Sequence, residues 1–114
     1  MYAIAFDLDT NTLSKAYHVD SYVNAYNDIA RFLRGYGFER KQGSVYFGDE
    51  SVNAVTCQTA VQRLTLEYDW FAVSVRDIRM LRIEDDNDLA PAMELALEVK
   101  RQNAKRNGAG QETP

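Results

Sequence analysis

This 114-residue chain predicts an α+β fold, ferredoxin-like βαββαβ with one extra C-terminal helix. Three observations carry that prediction. The chain opens on a strand that is apolar on both sides. Two long stripes of apolar residues at helical spacing follow, and a short glycine-centred hairpin stands between them. A fourth strand and a last helix close the order as strand, helix, strand, strand, helix, strand, helix.

In "YAIAFDL", Tyr2, Ile4, Phe6 and Leu8 point one way and Ala3, Ala5 and Asp7 the other. No polar residue interrupts before Asp7, which marks a central strand covered on both faces. "NTLSKAYHVD" reads as loop. Val19, Tyr22, Val23, Tyr26, Ile29, Leu33 and Tyr36 then recur at three- and four-residue steps, and Gly35 and Gly37 end that helix. Gly43 divides "FERK" from "SVYF" as a hairpin. From Ser51 to about Tyr68, the residues Ala54, Cys57, Val61, Leu64 and Tyr68 share one helical face. A last strand is expected from about Asp77 to Glu84, with Ile78 and Met80 alternating with Arg79 and Leu81. Asn87 or Asp88 caps a final helix carrying Leu89, Met93, Ala96 and Val99, with Pro91 in its first turn. The expected division is a folded domain over 1–103 and a disordered basic tail over 104–114.

Composition narrows the function classes. The net charge of −4 argues against nucleic-acid binding by bulk attraction. The charge is uneven, however: residues from Lys100 onward carry +3, which leaves −7 on the rest. Any nucleic-acid site must therefore be a local basic patch. One cysteine, Cys57, excludes an internal disulfide and suits a reducing cytoplasm, the expected compartment. Neither a signal peptide nor a membrane-crossing run is expected.

One histidine, His18, rules out a two-histidine acid–base pair within a subunit, and a Cys/His zinc site has too few ligands. No phosphate-cradling glycine loop is present. Asp7, at the C-terminal end of a central strand, is the leading candidate. A carboxylate there can hold a hard cation such as Mg²⁺ or accept a proton from an attacking hydroxyl. It can equally start the turn, a role that suits Asp9 still better. Arg76, Arg79 and Arg82 could recognise phosphate, and they suit ion pairs with Asp77 and Glu84 as well. Arg40 and Lys41, beside Gln42 and Ser44, form a second basic cluster in the hairpin. Tyr22, Tyr26 and Tyr36 fall on a helical stripe and read as core.

Taken together, "MYAIAFDL", "GFERKQGSVY" at Gly37–Tyr46 and "WFAVSVRDIRMLRIE" at Trp70–Glu84 resemble the virulence-associated protein D (VapD) family over about residues 1–88. The resemblance implies a small cytoplasmic endoribonuclease of the toxin type, related to the ferredoxin-fold dimers of CRISPR adaptation. It implies a homodimer in which sheets from two subunits meet, an RNA substrate and a possible antitoxin partner. An aspartate ending the first strand is linked to nuclease activity in the related group, and Asp7 occupies that position. By the same resemblance Asp7 and Ser44 are catalytic, Ser44 donating to the scissile phosphate. Arg40, Lys41, Gln42 and Arg76 would hold RNA. Asp7 would be the ligand of any Mg²⁺, whose requirement is left open. Two departures stand out: a longer C-terminal helix with a basic tail, and Leu81 where an aromatic residue is common. The alternative expectation is a non-catalytic dimeric scaffold that binds nucleic acid or protein. It would retain binding after loss of Asp7.

Overall fold

The computed structural model describes residues 1–17 and 21–111. His18 and Val19 lie outside them. The chain divides into two compact units, Met1–Glu84 and Asp85–Pro114.

In the first unit the elements are β1 (Tyr2–Leu8), α1 (Thr10–Ala16), α2 (Val23–Arg34), β2 (Phe38–Gln42), β3 (Val45–Gly48), α3 (Ala54–Glu67), α4 (Asp69–Ser74) and β4 (Val75–Arg82). The four strands form one antiparallel sheet in the order β2-β3-β1-β4, the ferredoxin-like arrangement. The doubly apolar β1 is central, as its sequence requires. It pairs Ile4 with Tyr46 on one side and with Met80 on the other.

The helices cover one face of this sheet. Ile4, Phe6 and Leu8 from β1, Phe38 from β2 and Tyr46 from β3 meet Leu13, Ile29, Leu33, Leu64 and Phe71 in a single core. Phe6 stacks on Tyr46 at 5.6 Å between ring centroids and meets the edge of Phe71 at 5.7 Å. Cys57 is buried among these residues, and burial pushes its thiol pKa up, so it is an inert core residue. Gly48 is needed where β3 passes Val52: a Cβ there would lie 2.7 Å from the Val52 side chain.

Two helices depart from expectation. The stretch expected as loop after β1 is largely α1. The string of turn-forming residues hides a cap, because Asp9 Oδ1 accepts from Asn11 N at 3.0 Å and Thr12 N at 3.4 Å. Leu13 then anchors the short helix by full burial. Likewise "DWFAVS" is α4, which buries Trp70 and Phe71, and β4 begins at Val75, two residues before the expected Asp77. The buried Ser74 hydroxyl donates to Trp70 O at 2.7 Å and finishes that turn.

The second unit consists of α5 (Ala90–Gln111), capped by Asp88, whose Oδ1 accepts from Ala90 N at 2.9 Å. The helix runs past Asn103, where a disordered tail was expected to begin. Ala104, Lys105 and Arg106 are strong helix formers and continue the ladder without needing to bury anything. The boundary between units accordingly falls at Glu84, where the sheet ends in an acidic connection, and not at residue 103. Leu89, Met93, Leu95, Leu97 and Val99 are all exposed.

The Asp9 cap yields a pH dependence. The backbone N–H of Thr12 leads in holding the Asp9 carboxyl below its ordinary value of 3.8, assisted by Asn11 and by Arg76. The unfolded chain therefore holds this proton more tightly than the folded one. The cap's contribution is fully present above the unfolded value and is lost as pH falls through the lowered folded value. Asp9→Ala is expected to lower Tm at neutral pH and to flatten the decline of Tm below about pH 4. Thermal melts from pH 2 to 7 check this, and parallel curves for the two proteins would contradict it.

Candidate active site

The C-terminal end of β1 gathers most of the candidate residues. Its backbone geometry is set from both sides. Phe6 N donates to Ser44 O at 3.1 Å, and Asp9 N donates to Ser74 O at 2.7 Å. Between them Asp7 faces Asp77 across the β1–β4 ladder, and the register shifts immediately after it. Such a bulge turns the strand end away from regular pleating and re-aims its side chains. Asp7 is exposed there. Ser44, opposite Phe6, is thus brought within a residue of Asp7 along the β1–β3 ladder.

The hairpin that presents Ser44 has its own brace. Gly43 adopts φ +52°, and Arg40 Nε donates to its carbonyl at 2.7 Å. A register shift between Arg40 and Gln42 inserts Lys41 as an extra residue. The expected basic cluster is split, because adjacent strand residues point to opposite faces. Arg40 pairs opposite Tyr46, on the helix-covered side, and its guanidinium lies over the Tyr26 ring at 5.9 Å from the centroid. Lys41 instead lies over Phe47, its ammonium 5.5 Å from that ring. Gln42 is exposed at the end of β2.

The arginines of β4 find carboxylates. Arg79 Nε donates to both oxygens of Asp77, at 3.0 and 3.1 Å, which is one of the two ion pairs its position allowed. Arg76 approaches Asp9 rather than Asp77 or Glu84, with Nη2 3.8 Å from Oδ2. Arg76 is largely exposed and at that separation is only loosely held. Its guanidinium therefore stands beside the strand end that carries Asp7.

For a metal, the donor set is thin. Among the described residues no three His, Cys, Asp or Glu side chains converge. Asp7 and Asp77 are the adjacent carboxylates, but Asp77 is engaged by Arg79. Asp7 alone is left to contribute. Mg²⁺ is commonly held by one or two carboxylates with water and substrate phosphate, so a single Asp7 ligand suits only a metal that arrives with substrate.

Tyr26 belongs to this end of the molecule, although its stripe reads as core. The ring is half-buried. Burial raises its phenol pKa first, and the nearby Tyr22 and the Asp7 carboxylate add to the rise, while Arg40 opposes it. Tyr46 is the same case deeper in: burial raises its pKa, Arg40 opposes and Tyr26 adds. The signal available in sequence was the coincidence of a tyrosine stripe with an arginine-bearing hairpin. Periodicity alone does not show which stripe positions face the hairpin.

Residues 1–89 match the family of CRISPR associated protein Cas2. "Endoribonuclease VapD 2" of Riemerella anatipestifer is 52% identical over 93 residues, which cover 82% of this chain and 99% of that protein. "Endoribonuclease VapD homolog" of Helicobacter pylori is 50% identical over 97 residues, 85% of this chain and all of that protein. "Endoribonuclease VapD" of Dichelobacter nodosus is 46% identical over 88 residues, 77% of this chain and 91% of that protein.

Proposed function

The chain belongs to the Cas2 family and to the VapD endoribonucleases, and from that membership we propose a homodimeric, toxin-type enzyme that cleaves RNA with Asp7. The observation that carries the catalytic assignment is the exposed Asp7 carboxylate on a strand end fixed from both sides by main-chain hydrogen bonds. A group held so firmly loses little freedom when substrate binds, and positioning of this kind is a large part of enzymatic acceleration. Asp7 takes the proton of the attacking hydroxyl or serves as the protein ligand of Mg²⁺. Ser44 donates to the scissile phosphate, and Arg76, Arg40, Lys41 and Gln42 meet the RNA backbone. Lacking a histidine pair, the enzyme is expected to turn over slowly. The lone buried thiol of Cys57 is in keeping with a cytoplasmic protein, and no described helix is long and apolar enough to cross a membrane.

The sheet supports dimerisation through the face its helices leave open. Ala3 pairs with Phe47 and Leu81, which makes a short apolar strip across three strands, and beside it Ala5 pairs with Val45 and with Arg79. Leu81 is 43% exposed although it flanks the fully buried Ala3. Two such strips stacked face to face would remove this area from water and bring two Asp7 carboxylates to one groove. An antitoxin would then act by covering that groove.

Two experiments test the reading. In the first, wild type and Asp7→Ala are incubated with RNA, each with Mg²⁺ and with a chelator. Cleavage is expected in wild type and absent in the variant, with melting temperature retained. Loss of wild-type cleavage in the chelator assigns the metal role, and its persistence assigns the proton role. RNA that is bound but uncut by wild type would replace the enzyme with the scaffold. The second places a charge on the strip: Leu81→Glu is expected to convert a dimer to a monomer by light scattering. A dimer that survives the charge would remove the sheet face as the interface.

A further inference from the structure

The side chains of α5 from Ala90 to Asn107 are all exposed, yet its apolar residues are not scattered. Leu89 already belongs to the helical ladder, its carbonyl accepting from Met93 N at 3.3 Å. At about 3.6 residues per turn, Leu89, Met93, Ala96, Leu97 and Val99 fall within one half of the circumference. Glu98 and Arg101 lie in the other half, where they pair at 2.7 Å and satisfy each other. Charge is ordered along the axis as well. Asp85, Asp86 and Asp88 precede the apolar arc, and Lys100, Arg101, Lys105 and Arg106 follow it. Acidic, apolar, basic is a sequence that complements itself when reversed.

We propose that α5 pairs antiparallel with α5 of a second copy of this chain, about a two-fold axis between Glu94 and Leu95. In that register Met93 stands against Ala96 of the other copy, and Val99 runs along the same edge as its Ala92. Large residues thus meet alanines, which lets the helix axes approach to about 8 Å. Leu89 meets Lys100, whose ammonium then lies beside Asp88. A parallel pair would instead set Met93 on Met93 and the aspartates on one another. Antiparallel packing also brings opposite ends of the two helix dipoles together. The pattern favours a copy over an unrelated protein or RNA, because only a contact between identical surfaces must complement itself in both charge and size. The seam runs for about three turns, short of the roughly 1,200 Å² at which stable interfaces begin, so it adds to the sheet face and does not hold a dimer alone. It is independent of RNA cleavage.

Disulfide trapping in the full chain tests the pairing and its direction together. Leu89→Cys, Lys100→Cys and the double variant are oxidised mildly and followed on denaturing gels. The buried Cys57, its thiol pKa raised, does not compete. Across the antiparallel pair positions 89 and 100 face each other, whereas each lies about 16 Å along the axis from its own counterpart, at ~1.5 Å per residue. A bridge needs Cα atoms within about 7 Å, and within one helix the two positions are also too far apart to link. The double variant is therefore expected to form covalent dimer at least about tenfold faster than either single variant, since paired thiols meet at a raised effective concentration. Met93→Glu, added to the double variant, should remove that advantage without lowering the melting temperature, because it sets a charge in the seam of an otherwise exposed helix. A single variant that links as fast as the double would make the pair parallel and overturn the proposal. A double variant no faster than the singles, or one that keeps its advantage with Met93→Glu, would overturn it as well.

Discussion

The pairing of β1 with strands on both sides is the constraint on which the rest of the molecule depends. β3 pairs with Ala3–Ala5 and β4 with Tyr2–Leu8, both antiparallel, so the strand is held on two sides and cannot slip. A shift of one residue would carry Ile4, Phe6 and Leu8 out of the core and put Asp7 into it. That penalty fixes the register, and the register in turn fixes where the strand ends. At that end the last ladder bond, from Phe6 to Ser44, and the bond from Asp9 to Ser74 clamp the intervening Asp7 between hairpin and α4. The chemistry is thus built from a packing requirement, with no added scaffold.

Much of this was legible in the residues, for identifiable reasons. The central place of β1 follows from its two apolar faces, and the hairpin follows from Gly43. The long helices α2 and α3 follow from their stripes, and the end of α2 from its glycines. The short helices were hidden because six or seven residues do not display a period. In α1 the cap residues are also the commonest turn residues, and only the burial of Leu13 decides between the two outcomes. The end of α5 was hidden for the opposite reason. Past Asn103, Ala104, Lys105 and Arg106 are good helix formers that need bury no apolar face, so hydrophobic periodicity gives no sign of that turn.

Of the candidate residues, Asp7 stands out because a carboxylate ends an otherwise apolar strand, whereas Ser44 follows only from the family resemblance. The expected cluster of Arg40 and Lys41 divides because neighbouring residues of a strand point to opposite faces of the sheet, and each cation finds a different ring. Tyr26 is obscured by its own helix, where a stripe position can face either the core or the rim beside it. The Cas2 family match ends at residue 89, just before α5 begins at Ala90, so this exposed helix lies beyond it. Its apolar N-terminal half and basic C-terminal half set this chain apart from a minimal member.

An enzyme with one carboxylate, a few hydroxyls and scattered cations depends on rigidity more than on strong acids and bases. Its acceleration must come from groups that are already in place when RNA arrives. Amide hydrogen exchange read at single residues tests that premise most directly. The Phe6 and Asp9 amides, which close the clamp around Asp7, should exchange as slowly as Ile4 in the middle of the sheet. Exchange at those two amides as fast as at the exposed Glu50 would mean that the strand end is loose, and the account of Asp7 as a preorganised group would fail.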